Sequence, residues 1–310
     1  METIPSPEIA FPEQKTVRSA ASRCAFAVIL FQIFASLAML PVSLCLGFLP
    51  WSAWEAGWAN NLERILDVLA EVPALLVVWA ILFRTIPKAE APSERLPFSI
   101  GRLAFFLPCM ILVSYVGGMI TEIPGFFGVP LYSATALAFR GVCIWVMVLS
   151  AVVFAPVVEE LLFRKFMLDR LSGFHPMTAI LFTALLFGLA HGNLEQFVGA
   201  FLDGILLGIV YYRTQNVVYP ILLHATSNGL AVLSGVISNE WVVHGIYLAL
   251  GLIGLFLLIR YRKQFLPIPS GHPRYGKAFF ANAGWIVVLI LFGASIIVRE
   301  VTNIISILRS

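Results

Sequence analysis

Apolar residues along this chain gather into long runs separated by short polar junctions. The runs show neither the strict alternation of half-buried strands nor the single apolar stripe of a surface helix. Taking runs near the roughly 20 residues that cross a bilayer as helices, about nine candidates emerge: 24–49, 65–83, 103–120, 137–158, 176–191, 197–212, 217–236, 242–259 and 279–298. The expected fold is therefore all-α, a polytopic transmembrane bundle of about 8–9 spans, because in lipid each backbone polar group has to be satisfied within its own helix. A polar stretch, 1–23, with Pro5, Pro7 and Pro12, precedes the first run, which is too long for a signal-peptide core and reads as a retained span.

The junctions alternate in charge. Lys15, Arg18 and Arg23 precede the first run, Arg84, Lys88, Arg95 and Arg102 follow the second, Arg164, Lys165 and Arg170 follow the fourth, and Arg213 follows the sixth. A further basic group, Arg260 to Lys277, follows the eighth. The junctions between these, around Glu55, Glu122, Glu195 and Glu240, are acidic or nearly neutral. The positive-inside bias then puts segment 1–23 in the cytoplasm of an integral, multi-pass protein of a bacterial-type inner or plasma membrane. Trp51, Trp54 and Trp58 fall where an outer interfacial belt would lie. No soluble domain fits in the gaps, since the longest loops, 84–102 and 260–277, are short and punctuated by proline. The whole chain, 1–310, reads as one integral membrane domain.

Composition agrees with this reading. Hydrophobic residues are 60% of the 310 and charged residues 12%, against roughly 25% charged in an average soluble domain. The net charge of +3 follows the topology and argues for the lipid bilayer as surroundings and against nucleic acid as partner. Cys24, Cys45, Cys109 and Cys143 lie in or beside apolar runs without metal-ligand spacing and read as small hydrophobes.

Against this apolar background six polar side chains stand out: Glu159, Glu160, Arg164, His191, His224 and Asn228. Ionisable groups inside a membrane are costly and usually face a partner or an internal cavity. Residues four apart share a helical face, so Glu160 can pair with Arg164, leaving Glu159 directed elsewhere in low dielectric, as a general base requires. The same three charges also fit a plain interfacial helix end, since Lys165, Asp169 and Arg170 continue a hydrated helix. His224 and Asn228 share a face and can converge on one oxygen or metal, although a lone intramembrane histidine more often bonds a neighbouring helix. At 1.5 Å per residue, His224 lies about 12 Å from the basic end, Glu160 about 16 Å and His191 about 22 Å. These depths overlap, which allows a shared site opening toward the basic, cytoplasmic side. Gly204 and Gly208 form a G-x-x-x-G step that reads as helix packing, and Asp203 beside them either lines a cavity or bonds a neighbouring helix.

The succession E-E-x-x-x-R (Glu159, Glu160, Arg164), F-x-x-x-H (Phe187, His191) and H-x-x-x-N (His224, Asn228) resembles the CPBP intramembrane proteases, named for CAAX processing and bacteriocin processing and also called Abi proteins. The resemblance covers approximately 142–236, a CPBP-like catalytic core, and extends to Phe201, Gly204, Gly208, Tyr211, Arg213, Thr214 and Pro220. It implies hydrolysis of a peptide bond in a membrane-associated peptide or protein, including lipidated ones. Carried over by position, Glu159 is the general base, His191 holds or activates water, His224 with Asn228 stabilises the oxyanion, and Glu160 with Arg164 completes the site. The family is described both as metalloproteases and as glutamate-dependent proteases. Zinc, held by Glu159, His191 and His224, is the candidate metal, whereas Asn228 is an unusual zinc ligand. The first choice is a glutamate-activated water with no required cofactor. Two other readings stay open: a non-catalytic immunity or scaffold protein of the same family, and a proton-coupled transporter in which these groups relay protons. The first three runs and everything after Asn239 add little beyond being membrane helices.

Overall fold

The computed structural model describes residues 13–55, 57–89, 95–133, 140–237, 239–265, 268 and 275–309. Among these the fold is all-helical: α1 (Gln14–Leu46), α2 (Trp51–Glu55), α3 (Trp58–Phe83), α4 (Ile100–Phe126), α5 (Ile144–Leu171), α6 (Pro176–Ala190), α7 (Leu194–Thr214), α8 (Val218–Val236), α9 (Glu240–Phe265), α10 (Gly276–Phe280) and α11 (Ala283–Arg309). Each apolar run has become a long helix. Helices α1, α3, α4, α5, α7, α9 and α11 are long and apolar enough to cross a membrane. The two that fall short carry site residues. α6 has only 15 residues, and α8 interrupts its apolar surface with His224, Thr226, Ser227 and Asn228.

Helix ends depart from the sequence pattern in ways that have a cause. α1 begins at Gln14, so Lys15, Arg18 and Arg23 sit on its first turns, and part of the polar segment 1–23 is helical, while 1–12 lies outside the described residues. Long basic side chains favour helix and can carry their charge to the interface along an apolar stem. The start of the run 137–158 also lies outside the described residues; α5 begins at Ile144 and continues through the charged stretch to Leu171. A hydropathy pattern cannot show that continuation, because Arg164 and Arg170 are buried against protein and are not at a hydrated end.

α6 packs along α7, and α4 lies between α7 and α9, while α1 is flanked by α3 and α11. The G-x-x-x-G step works as packing: a Cβ on Gly204 would stand 3.0 Å from Ala184, and one on Gly208 3.0 Å from Ile180, both on α6. One apolar core joins α1, α3, α5, α6, α7, α10 and α11, and a second joins α4, α7 and α8. α5 crosses the centre, packed on α8 and α3, and is wound as π-helix over Val148–Phe154 and Leu161–Leu168 with the α-helical turn Ala155–Glu160 between them. Such π-segments often accompany functional sites because they re-aim side chains and free backbone groups.

Candidate active site

Glu159 and Glu160 end the α-helical turn of α5, and Arg164 lies one turn on. Glu160 is fully buried, and its Oε1 accepts from Arg164 Nη1 at 2.9 Å and from His224 Nδ1 at 2.9 Å. Arg164 Nη2 donates to the Gly204 carbonyl at 3.3 Å, and its guanidinium lies 4.7 Å from the Phe187 ring. This sequence-expected pair thus binds three helices at one point: α5, α7 through Gly204, and α8 through His224.

Glu159 points the other way, partly open to a cavity, with its Oε2 3.7 Å from His224 Nε2. The Oε2 atoms of both glutamates have no hydrogen-bond partner among the described residues. His191 caps the C-terminus of α6, and its Nδ1 meets the Phe187 carbonyl at 2.9 Å. Carbonyls and carboxylates accept, so each imidazole spends its Nδ1–H on an anchoring oxygen and keeps Nε2 for other partners. The Phe187 ring touches both imidazoles edge-on, with centroids at 5.2 Å from His191 and 5.6 Å from His224.

Anchored histidines with a free Nε2 suit a metal as well as a water, so the donor set bears directly on zinc. Among the described residues no three His, Cys, Asp or Glu side chains are grouped to hold a metal ion. As placed, Glu159, His191 and His224 do not form a ligand set.

Asn228 is brought to the same helix face as His224, yet its amide is engaged elsewhere: Nδ2 donates to the Ala151 carbonyl at 2.8 Å. The cause lies in α5. Ala155 gives its N–H to Ser150, five residues back, and Pro156, next in line, has no N–H for Ala151. Asn228 therefore satisfies a carbonyl that the π-turn and the proline leave bare, with one amide hydrogen to spare.

Asp203 takes the second of its two expected roles. Its carboxyl meets Ser114 Oγ of α4 at 2.9 and 3.0 Å and Ser227 Oγ of α8 at 3.4 Å, and the two serines lie 2.9 Å apart. Ser227 sits between His224 and Asn228, so this part-buried network ties the α8 site turn to α4 and α7. Hydroxyl spacing alone gives no sequence signal for it.

The cavity beside Glu159 and His191 has a volume of about 400 Å³. Its remaining walls come from α1 and α3, which show no motif in the sequence. Lining residues on α1 run from Val28 to Ser43, those on α3 are Asp67 and Glu71, and those on α6 cluster at its C-terminal end. On α1 and α6 these residues lie mostly in the C-terminal half, whereas on α5 Glu159, Leu162 and Phe163 lie past the midpoint, toward Leu171.

Comparison with known proteins finds two similarities. Residues 141–230 match the family described as "Type II CAAX prenyl endopeptidase Rce1-like". The chain is also similar to "Putative membrane peptidase YdiL" of Bacillus subtilis (strain 168), with 23% identity over 205 residues that cover 64% of this chain and 83% of that protein. No solved structure matches it.

Proposed function

We infer that this chain, a CPBP-family membrane protein by its 141–230 segment, is an intramembrane endopeptidase that hydrolyses a peptide bond of a membrane-associated substrate with a glutamate-activated water. The observation that carries this reading is the division of labour between adjacent glutamates. Glu160 is held by Arg164 and His224, while Glu159 faces the cavity with an unpartnered oxygen 3.7 Å from His224 Nε2.

In this mechanism a water held between Glu159 and His191 Nε2 attacks the scissile carbonyl carbon. Glu159 takes the proton, and a C–O bond forms as the carbonyl becomes an oxyanion. His224, oriented by Glu160, exchanges a proton through Nε2 and stabilises the developing charge. The spare amide hydrogen of Asn228 is the second donor. Collapse of the oxyanion breaks the C–N bond, and the proton held by Glu159 passes to the leaving amine, giving a carboxylic acid and an amine. Glu160 and Arg164 touch no reacting atom and act by positioning His224. The N-terminus is assigned to the cytoplasm from the distribution of basic junctions.

The test is cleavage of membrane-associated peptides by the purified chain in liposomes, with products identified by mass spectrometry. Glu159→Gln is expected to lower turnover by about 1,000-fold or more, within the range of general-base catalysis plus loss of the activated water, while the protein still melts cooperatively. Near-normal turnover in that variant refutes the assignment.

A further inference from the structure

The α3 wall of the cavity carries a polar group that the proposed mechanism does not use. Asp67 and Glu71 lie one turn apart on α3 and both line the cavity. Asp67 is already engaged, its Oδ2 accepting from Arg64 Nη1 at 2.9 Å. Glu71 has no hydrogen-bond or ion-pair partner among the described residues. The feature is therefore one unpaired carboxyl inside a defined cavity, since Arg64 takes Asp67 and the reaction takes Glu159.

Inside a bundle such a group is costly unless water or a donor meets it. Water can meet it while the cavity is hydrated. A peptide that fills the cavity displaces that water, and the carboxyl then has to be met by a donor on the peptide itself. Nearby Gln32 and Ser36 of α1 line the same space, while Phe31, Phe163 and Phe187 supply apolar wall. That combination suits a long aliphatic stem ending in a cation, and aromatic faces add attraction for the charge.

We propose that Glu71 forms a subsite for a cationic side chain, lysine or arginine, of the peptide residue flanking the bond that Glu159 faces. The inference rests on the protease reading for the word substrate. As a statement about binding it stands or falls on its own. The substrate class it names is a membrane-associated peptide or protein with a basic residue beside the cleavage position, held with its charge on α3 and its backbone toward α5 and α6. A neutral side chain at that position leaves Glu71 unpaired, so discrimination arises from the cost of the wrong substrate as well as the gain from the right one.

The experiment separates binding from turnover. Labelled eight-residue apolar peptides, with one lysine walked through the sequence and norleucine as its neutral counterpart, are titrated by fluorescence anisotropy. The protein is full-length and reconstituted in nanodiscs, in a Glu159→Gln background that cannot consume them. At one register or more, lysine is expected to bind about tenfold more tightly than norleucine, in line with close charge pairs that lose water on binding. With Glu71→Gln added, that ratio is expected to fall to about twofold or less, and with Glu71→Lys the preference should pass to glutamate at the same register. A thermal melt checks that each variant folds. The lysine-to-norleucine ratio with Glu71 intact needs no second variant. Equal affinity for the two at every register overturns the subsite, as does a lysine preference that survives Glu71→Gln. If wild-type protein binds the lysine peptides with that preference but cleaves none of them, the protease reading fails and the subsite stands.

Discussion

Glu159 and Glu160 are neighbours in sequence and identical in chemistry, yet they occupy two regions with opposite physics. The region around Glu160 is closed: its side chain has no exposure, a guanidinium and an imidazole share one of its oxygens at 2.9 Å each, and Arg164 is itself buried. The region around Glu159 is open, with 27% of the side chain exposed and a cavity in front of it. A charge that is already paired is a poor base, because accepting a proton would forfeit its partners. A carboxyl that borders a cavity and has only the 3.7 Å contact with His224 can take one. A single residue step around α5, about 100° of helix rotation, separates a structural ion pair from a candidate reactive group.

Variants on either side of that division sharpen it, and their effects should grade by side. The Glu159→Gln loss of turnover is the largest expected effect, and it should come with a stability change of less than about 1 kcal/mol, because glutamine keeps the shape of a side chain whose Oε2 makes no hydrogen bond. On the closed side the signature reverses: Arg164→Met removes the partner of a fully buried carboxylate and should cost about 3–5 kcal/mol of stability, read from chemical or thermal unfolding in detergent. Turnover of the remaining folded fraction should fall as well, since His224 loses a fixed anchor. If Arg164→Met left stability unchanged, the closed region would not be the structural half.

Asn228 lies between the two regions and allows a finer test. Asn228→Ala removes the donor to Ala151 and should destabilise by about 1–3 kcal/mol, the cost of one buried unsatisfied carbonyl. Adding Pro156→Ala supplies a backbone N–H near that carbonyl, and should restore part of the lost stability without restoring turnover. Recovery of turnover in the double variant would show that Asn228 serves only the backbone of α5. A loss of turnover that persists would support its second hydrogen as an oxyanion donor.

The smallest expected effect concerns metal. Extensive chelation should leave turnover and melting unchanged, with less than one zinc per chain by elemental analysis. Loss of activity restored by about one equivalent of zinc would mean that His191, His224 and Glu159 regroup into a ligand set on binding.

The parts of this molecule legible in its sequence share one property: their signal lies within a single helix. Apolar length marks the spans, i, i+4 spacing predicts the Glu160–Arg164 pair, and the succession of motifs from Glu159 to Asn228 carries the resemblance to CPBP proteases. The comparisons support that family through residues 141–230. What escaped the sequence depends on two or more helices meeting. Asp203 finds Ser114 and Ser227 across 89 and 24 residues of chain, and nothing in the spacing of two serines announces it. Asn228 reaches Ala151 because of a π-turn and a proline on another helix, a backbone condition that side-chain periodicity does not encode.

By itself, then, the sequence determined the solvent this chain folds in, the helical class and which side chains are candidates for reaction. Those follow from transfer free energies and from the helical repeat, which are local quantities. Only the tertiary structure decided which of two adjacent glutamates is closed off and which faces a cavity, and that α1 and α3 wall that cavity with Gln32 and Glu71. The physical reason is that burial, pairing and cavity shape are properties of helices packed against one another across more than a hundred residues of chain, and hydropathy constrains that packing without specifying it.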